Sequence, residues 1–373
     1  TGIKQEFNLE EFFSSDVTRF TESLSAIEAD IDPEGPPDSE EVLQQLIEAI
    51  HASREACRLA GMELYQDPDR LKASQARFRD TIAPWFDQSW FMRHAKSKPR
   101  GYAGDFQMLT AIYEGLPRSS GIGGYLDAYF LRSDLARAVR ARLEAIQKFL
   151  ISETLRRTET LSILDVASGP GQEFATGFKS PRTVSLKCVD IDQDALDYLR
   201  DRIDSSGGAS LDLSCYRYNA LRMISPEQNL KTFGECDIIY SVGLCDYIPD
   251  RQMIAILKGW RESVSPVGII YVAFKDCTRY VAAEYQWHVD WHFYERTASD
   301  CRELFAAAGY DVDAMEMFRD ESGIIMNFVA RQAALRRTRI DAAQRLAGPH
   351  FRTDGTDELD VASPAAPDLL QNE

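Results

Sequence analysis

The chain has 373 residues, 44% of them hydrophobic, and a formal net charge of −17 at pH 7. This length predicts two domains, and the hydrophobic share is sufficient for a buried core. The negative charge argues against nucleic acid or an anionic membrane surface as a partner. No apolar run is long enough to span a bilayer and the N-terminus carries no signal-peptide pattern, so we expect a cytoplasmic protein. The seven cysteines form no CxxC pair, which indicates reduced, buried thiols rather than disulfides or a zinc site.

Residues 1–155 are predicted to form a helical domain. Apolar side chains recur at helical spacing after Ser39, a typical N-cap residue, and aromatic residues are concentrated at 81–95. We predict a loop for GIGGY at 121–125. A long helix, or two helices, then covers 128–155 and leads into the C-terminal domain.

The segment KPRGYAGDFQML at 98–109 interrupts the helical pattern with a proline, two glycines and several polar residues. Tight turns require the glycines. Two interpretations are open. The segment is either a lid over a ligand site, with Arg100, Tyr102 and Asp105 facing inward, or an ordinary interdomain turn with a salt bridge. In both cases we expect a helix to begin near Phe106.

The segment LSILDVASGPGQEF at 161–174 predicts a strand, a glycine-rich turn and a helix, which lets a nucleotide-like ligand approach the backbone closely. The next strand ends in Asp190, whose carboxylate can accept hydrogen bonds from both hydroxyls of a ribose. Asp165 and Glu173 flank the turn, and Phe174 stands where a dinucleotide fingerprint requires a third glycine. A phosphate would meet negative charge there, so a ribose-containing ligand with an ammonium or sulfonium group fits better.

Strands and helices alternate from residue 161 onward. The strands are predicted at 161–167, 183–189, 211–216, 236–241, 267–275, 311–318 and 323–331, and the helices at 171–179, 193–204, 250–263 and 297–309. Apolar strands separated by helices imply a parallel sheet that is covered on both faces. A short turn between the last two strands implies a hairpin and an antiparallel last strand. We assign 156–335 to this α/β domain and expect a disordered tail over 345–373.

The motifs ILDVASGPGQE at 163–173 and VDID at 189–192 resemble those of the class I S-adenosylmethionine-dependent methyltransferases. The resemblance implies a Rossmann-like, seven-stranded methyltransferase sheet and S-adenosyl-L-methionine as the cofactor. Three further motifs resemble a bacterial subfamily that has an N-terminal helical domain and includes 3-hydroxypalmitic acid methyl ester synthases. They are KPRGYAGDFQMLTAIYEG at 98–115, SVGLCDYIPD at 241–250 and WHFYER at 291–296.

Ligands of a parallel sheet bind at the carboxyl ends of its strands. Together with two residues of the 98–109 segment, the expected cofactor-binding residues are Arg100, Asp105, Asp165, Ala167, Gly169, Gly171, Glu173, Asp190, Ile191, Asn219, Ala220, Ser241 and Gly243. The resemblance implies that Asn219 hydrogen-bonds the adenine amino group. We expect Ile191 to pack on the adenine face, and Ser241 and Gly243 to line the methionine end.

The segment 274–297 contains many aromatic residues together with His288 and His292 at helical spacing. Such a pair can bind a metal ion, but no third ligand is evident, so we predict no metal. The segment is expected to form a wall of a substrate pocket. The alternative is an amphipathic helix that packs on the N-terminal domain with solvated histidines.

Methyl transfer by in-line displacement requires alignment of the acceptor and exclusion of water. Aromatic faces can hold the sulfonium cation. The candidates are Tyr102, Tyr247 and Tyr294. A phenol or amine acceptor would need a general base, for which His292 is the first candidate and His288 the second. A carboxylate acceptor would need none and would be held by a tyrosine or by a cation such as Arg100 or Arg296.

Three functions are therefore open. The favoured one is a methyltransferase that acts on a small molecule, at the carboxylate or hydroxyl of a fatty-acid-like or secondary metabolite. The second is a cyclase that converts S-adenosylmethionine into azetidine-2-carboxylate and methylthioadenosine. The third is a cofactor-binding protein without turnover. The sequence favours no particular oligomeric state.

Overall fold

The computed structural model describes residues 8–157, 159–206 and 211–332. The disordered tail predicted over 345–373 lies outside these described residues. Within them, no helix is both long and apolar enough to cross a membrane. All seven cysteines are unpaired, and five of them are buried.

Helices occupy the N-terminal part, as predicted. They are α1 (Leu9–Glu11), α2 (Thr18–Ala29), α3 (Glu40–Glu63), α4 (Pro68–Phe86), α5 (Trp90–Ser97), α6 (Phe106–Glu114), α7 (Gly121–Arg132) and α8 (Asp134–Arg156), with a π-helical turn at Phe12–Val17. Side chains cap several of these helices: Ser39 accepts the amide of Val42, and Asp105 accepts the amide of Met108.

The C-terminal part alternates strands and helices. The strands are β1 (Leu161–Val166), β2 (Val184–Asp190), β3 (Leu211–Arg217), β4 (Cys236–Ser241), β5 (Val264–Lys275), β6 (Glu316–Arg319) and β7 (Ile325–Arg331). The helices are α9 (Gln172–Ala175), α10 (Gln193–Ser205), α11 (Pro226–Phe233), α12 (Asp250–Ser263), α13 (Ala282–His288) and α14 (Ala298–Ala307). Short 3-10 turns lie at Ala220–Arg222 and Cys245–Tyr247.

One seven-stranded sheet has the order β3-β2-β1-β4-β5-β7-β6. The first five strands pair in parallel, and β7 runs antiparallel to both β5 and β6. The predicted Rossmann-like sheet with an antiparallel last strand is thereby confirmed. Since the chain leaves β1 towards β2 on one side and reaches β4 on the other, a crevice opens at the carboxyl end of β1.

Both faces of the sheet are buried, and successive strand residues alternate between them. Ile163 belongs to one apolar cluster and Leu164 to the other. The cluster that contains Ile163 also contains the buried side chains of the N-terminal helices, and the Phe149 ring of α8 lies 4.8 Å from the Tyr271 ring of β5. The N-terminal helices therefore share a core with the sheet. The division into domains at 155/156 stays a prediction, although α8 ends at Arg156.

Three predicted elements differ from the structure. The GIGGY segment begins helix α7 instead of forming a loop. The predicted helix 171–179 is confined to Gln172–Ala175, because Thr176 is extended and Gly177 has a positive φ of 73°. The strand predicted at 311–318 begins later, at Glu316, and ends one residue later, at Arg319.

Close packing of the backbone explains why helix α7 contains these glycines. A Cβ atom at Gly123 would lie 2.4 Å from the carbonyl oxygen of Gln88, and one at Gly124 would lie 2.7 Å from that of Ser119. Glycine is a poor helix former, but here close backbone packing requires it. The sequence shows the low helix propensity of glycine but not the packing of this segment in the fold. It therefore predicted a loop.

We predict opposite effects for two helical glycine-to-alanine substitutions. Gly123→Ala should lower the free energy of unfolding by about 1–3 kcal/mol, because the new methyl group overlaps the Gln88 backbone. The matched control Gly61→Ala, in α3, should raise it by roughly 0.5–1 kcal/mol, because the nearest atom is 3.5 Å away and alanine favours the helix. Urea denaturation measures both; equal effects would refute the packing argument.

Candidate functional site

The glycine-rich turn after β1 has a left-handed backbone at three alternate residues. The φ angles are 61° at Ala167, 53° at Gly169 and 55° at Gly171. A Cβ atom at Gly171 would lie 2.5 Å from Leu199 of α10, so only glycine fits there. Ala167 adopts the left-handed conformation despite its side chain, at a cost of roughly 1–2 kcal/mol. Such strain is typical of a turn whose shape serves a ligand.

The turn and the end of β2 are joined through Asp190. Its two carboxylate oxygens accept the amides of Gly169 and Asp192, each at 2.9 Å. The side chain is 4% exposed, and burial raises the pKa of its carboxyl group. Each oxygen has a second lone pair, so the carboxylate can still accept bonds from a ligand.

Two more acids are buried beside the turn. The Tyr240 hydroxyl donates to Oε1 of Glu173 at 2.7 Å, while Oδ2 of Asp165 is buried without a hydrogen-bond partner. Burial raises the pKa of both carboxyl groups, and the neighbouring charge of Glu173 raises that of Asp165 further. A positively charged ligand would reduce the free-energy cost of burying these acids.

The 98–105 loop lies over this edge of the sheet. The Arg100 guanidinium donates to Oδ1 of Asp192 at 2.6 Å and to Oδ2 of Asp194 at 2.5 Å. Burial, followed by the charges of Asp190 and Asp192, raises the pKa of Tyr102 well above its usual value. The ion pairs of Arg100 with Asp192 and Asp194 join the loop to the residues that follow β2.

The same loop also contacts the segment after β4. A Cβ atom at Gly104 would lie 2.9 Å from the Tyr247 hydroxyl oxygen and 3.1 Å from the Trp291 ring. That hydroxyl accepts a hydrogen bond from Nε1 of Trp291 at 2.8 Å, and burial raises the pKa of Tyr247. The loop therefore spans from β2 to β4, across the crevice at β1.

Asp105 has a different role from the one predicted. Both of its oxygens accept from Nε2 of His94, at 2.9 and 2.8 Å, and Oδ1 also accepts the Met108 amide. The side chain is fully buried. These contacts hold the 98–105 loop on α5 and begin α6, so Asp105 positions the loop rather than facing a cofactor.

The remaining predicted cofactor residues occupy the strand ends in different ways. Ile191 is 43% exposed, and Ala220 is buried in a core cluster. The Asn219 side chain accepts the Leu221 amide at 3.0 Å. Ser241 is buried and donates to the Val166 carbonyl oxygen at 2.9 Å, so its hydroxyl is already engaged.

The two histidines of the 274–297 segment do not form a pair. Helix α13 ends at His288, and Asp290 has a left-handed φ of 56°, so His292 lies beyond the helix. His292 is half exposed and its ring contacts Oδ1 of Asp290 at 3.2 Å. In the described ranges, no group of three or more His, Cys, Asp and Glu could hold a metal ion.

His288 is a core residue. Its Nδ1 donates to the Glu284 carbonyl oxygen at 2.9 Å, its Nε2 lies 3.2 Å from the Ser53 hydroxyl, and the rings of Phe78 and Phe86 pack around it. Burial lowers its pKa to about 4. This environment favours a neutral, structural histidine, and the proposal that it acts as a general base is wrong for this reason.

The contacts of Arg296 do not support the role proposed for it, which is to hold the carboxylate of the acceptor. Its guanidinium is 2% exposed and donates to Asp250 and to the carbonyl oxygens of Cys245 and Ile248. These bonds use four of the five N–H groups of the guanidinium, so paired donors for a substrate carboxylate are no longer available. Tyr294 is 36% exposed, and its amide donates to the Asp246 carbonyl oxygen at 2.8 Å.

The sequence pattern did not point to two ionisable residues that lie near the ends of β4 and β5. The Lys275 amine donates to Oδ2 of Asp246 at 2.6 Å, and both side chains are buried. The amine lies 3.9 Å from the centre of the Phe293 ring, and burial lowers its pKa. The signal was a lysine at the end of an apolar strand, a position where a charge needs a partner.

Arg142 of α8 is the third missed residue. It is 6% exposed, and a Cβ atom at Gly243 would lie 3.1 Å from its Nη2. The sequence carried a signal for it, since position 142 continues the buried helical stripe of Val139 and Ile146. An arginine within a buried apolar stripe of a helix requires a structural or functional reason for its position.

Comparisons with known proteins identify no family. No family model and no curated protein sequence matches the chain. A possible exported protein from Bordetella parapertussis is similar in structure, with 14% identity, a TM-score of 0.49, and coverage of 89% of this chain and 99% of that chain. Magnesium protoporphyrin IX methyltransferase (ChlM) from Synechocystis PCC 6803 with bound SAH has 11% identity, a TM-score of 0.40, and coverage of 53% and 85%.

The N-methyltransferase NodS from Bradyrhizobium japonicum WM9, in complex with S-adenosyl-L-homocysteine, has 12% identity and a TM-score of 0.35. Its alignment covers 50% of this chain and 86% of that chain. All three TM-scores are below 0.5, so these similarities assign neither a family nor a function.

We predict that His288 makes stability depend on pH. Its folded pKa of about 4 lies below the value of about 6.5 in an unfolded chain, so the unfolded state binds more protons in between. The contribution of neutral His288 to the free energy of unfolding is fully present above about pH 6.5, and it is lost as the pH falls towards 4. Between pH 7 and 5, the wild type should lose about 2 kcal/mol more than His288→Gln, which does not titrate. Parallel denaturation profiles for the two proteins would contradict the assignment.

Proposed function

We propose that the protein is an S-adenosylmethionine-dependent methyltransferase that acts on the carboxylate of a small, fatty-acid-like molecule. The observation that carries this proposal is the strained turn at Ala167, Gly169 and Gly171, whose Gly169 amide fixes the buried Asp190 carboxylate. A bound ribose would lie against this carboxylate, with Ile191 and Asn219 close to the adenine. The motifs that resemble class I methyltransferases contain the turn residues together with Asp190 and Ile191.

The buried acids fit the charge of this cofactor. Asp165 has an oxygen with no partner, and Asp165 and Glu173 both bear a raised pKa because burial disfavours their charged forms. An ammonium group at the methionine end would satisfy that oxygen, and the sulfonium would add positive charge. A dinucleotide would bring phosphates to the same acids, which electrostatic repulsion disfavours.

When bound, S-adenosylmethionine supplies an electrophilic methyl group on a positively charged sulfur. The protein's part is to align the acceptor and to exclude water. The 98–105 loop covers the crevice through the contacts of Arg100 with Asp192 and of Gly104 with Tyr247. The rings of Tyr102 and Tyr247 would face the sulfonium, where aromatic faces favour a cation.

The tyrosine, lysine and histidine candidates for a general base are buried, paired or half exposed, which favours a carboxylate acceptor. Tyr102 and Tyr247 both have raised pKa values because they are buried, so they stay protonated and act as hydrogen-bond donors. The Lys275 amine is held by Asp246. His292 is half exposed and contacts Asp290. A carboxylate is nucleophilic without deprotonation, whereas a hydroxyl would need a base.

Mass spectrometry tests the reaction. The purified protein is incubated with S-adenosylmethionine alone and then with a pool of fatty acids. We expect S-adenosylhomocysteine only when an acid is present, together with an acid that has gained one methyl group. Methylthioadenosine from the cofactor alone would replace this proposal with the cyclase. Absence of any product would replace it with a non-catalytic binding protein.

We predict that Asp190→Asn lowers the affinity for S-adenosylmethionine by about 10- to 100-fold, because hydrogen bonds to a charged acceptor are lost. The matched control Asp197→Asn removes an exposed carboxylate of α10 and should leave affinity unchanged. Isothermal titration calorimetry measures both. Equal affinities for wild type and Asp190→Asn would show that the ribose does not bind there.

We predict that Arg100→Gln speeds dissociation of S-adenosylhomocysteine about 3- to 10-fold, because the loop loses its ion pairs to Asp192 and Asp194. The control Arg58→Gln breaks an exposed ion pair with Glu55 and should not change the rate. Stopped-flow fluorescence of the tryptophans follows the release. An unchanged rate in Arg100→Gln would mean that the loop is no lid.

A further inference from the structure

The described part of the chain has three buried arginines, and Arg142 differs from the other two. Arg296 pairs with Asp250, and Arg261 pairs with Glu262. Arg142 makes no ion pair with any described residue, although it is 6% exposed, and its Nε has no hydrogen-bond partner. A buried guanidinium is always charged, so an unpaired one is costly.

The position of Arg142 connects it with the proposed site. Its guanidinium lies against Gly243, directly after β4, where a Cβ atom would be 3.1 Å from Nη2 and 3.4 Å from Cζ. The positive charge of Arg142 acts to lower the pKa of three neighbouring groups, those of Tyr113, Glu173 and Lys275. The guanidinium therefore lies between the glycine-rich turn and the ends of β4 and β5.

We infer that Arg142 binds a carboxylate group of a ligand in this site. A guanidinium presents paired donors that match the two oxygens of a carboxylate. Glu173 is near, but its Oε1 accepts from Tyr240, and the structure pairs it with no arginine. Lys275 lies on the other side and adds positive charge, while Asp246 takes its direct hydrogen bond. An incoming carboxylate would find donors there without displacing an existing acid.

This inference rests on the proposed function, which offers two carboxylates. One belongs to the methionine part of S-adenosylmethionine, and the other belongs to the acceptor. Either carboxylate would complement the unpaired cation, whereas the buried acids Asp165 and Glu173 would complement the ammonium and sulfonium of the cofactor. The experiment distinguishes the two sources.

The first arm compares S-adenosylmethionine with decarboxylated S-adenosylmethionine, which keeps the sulfonium and the amine. If Arg142 binds the cofactor carboxylate, the wild type prefers S-adenosylmethionine by about 10- to 100-fold, and Arg142→Gln removes this preference. The affinity of Arg142→Gln for the decarboxylated compound stays at the wild-type value. Calorimetry measures all four affinities.

The second arm uses protein saturated with S-adenosylhomocysteine and compares octanoate with octanamide. If Arg142 binds the acceptor carboxylate, the wild type prefers octanoate and Arg142→Gln does not. Arg142→Lys should recover part of the preference in whichever arm shows it, because a single charge remains. If neither preference depends on Arg142, the inference is overturned. A wild type that binds none of the adenosyl compounds overturns the proposed function itself, and the inference with it.

Thermal unfolding without ligand separates a binding role from a structural one. Arg142→Met should raise the melting temperature, because it removes a buried charge that has no partner. The control Arg296→Met should lower it, because it leaves Asp250 and two carbonyl oxygens without their donor. A lower melting temperature in Arg142→Met, with unchanged ligand affinities, would assign Arg142 to the core instead.

Discussion

Buried negative charge at one edge of the sheet is the constraint on which the rest of the structure depends. Asp165, Glu173 and Asp190 are each at most 5% exposed, and all have a raised pKa because of burial. Uncompensated burial of a carboxylate costs several kcal/mol. Such a cluster is therefore expected where a ligand or a network of hydrogen-bond donors offsets this cost. The Gly169 amide and the Tyr240 hydroxyl supply part of that compensation. The free oxygen of Asp165 remains for a ligand.

The N-terminal helices complete this edge of the sheet. They share one apolar cluster with a face of the sheet, and they bring the 98–105 loop and Arg142 to the strand ends. The His94–Asp105 contact fixes the loop on α5, and Arg100 fixes it on the residues after β2. The acidic and the basic side chains near the loop therefore come from different parts of the chain.

The sequence predicted the elements that depend on local pattern. Apolar strands and the hairpin at β6 and β7 were recognisable from composition and turns, and so was the glycine-rich turn that ends against Asp190. The prediction that His288 and His292 share a helical face was wrong because the helix ends at His288 and the chain turns at Asp290. The GIGGY helix was missed because its glycines are required by packing against another segment. Arg142 was missed because a long cationic side chain on a helix is usually assumed to reach solvent.

The most direct test of the central claim is a crystal structure of the protein with S-adenosylhomocysteine. The account predicts that the ribose hydroxyls lie within hydrogen-bonding distance of the Asp190 carboxylate, with the amino-acid part of the ligand beside Asp165 at the glycine-rich turn. Density for the ligand at any other place would contradict the account. So would an Asp190 carboxylate that contacts the amides of Gly169 and Asp192 and no atom of the ligand.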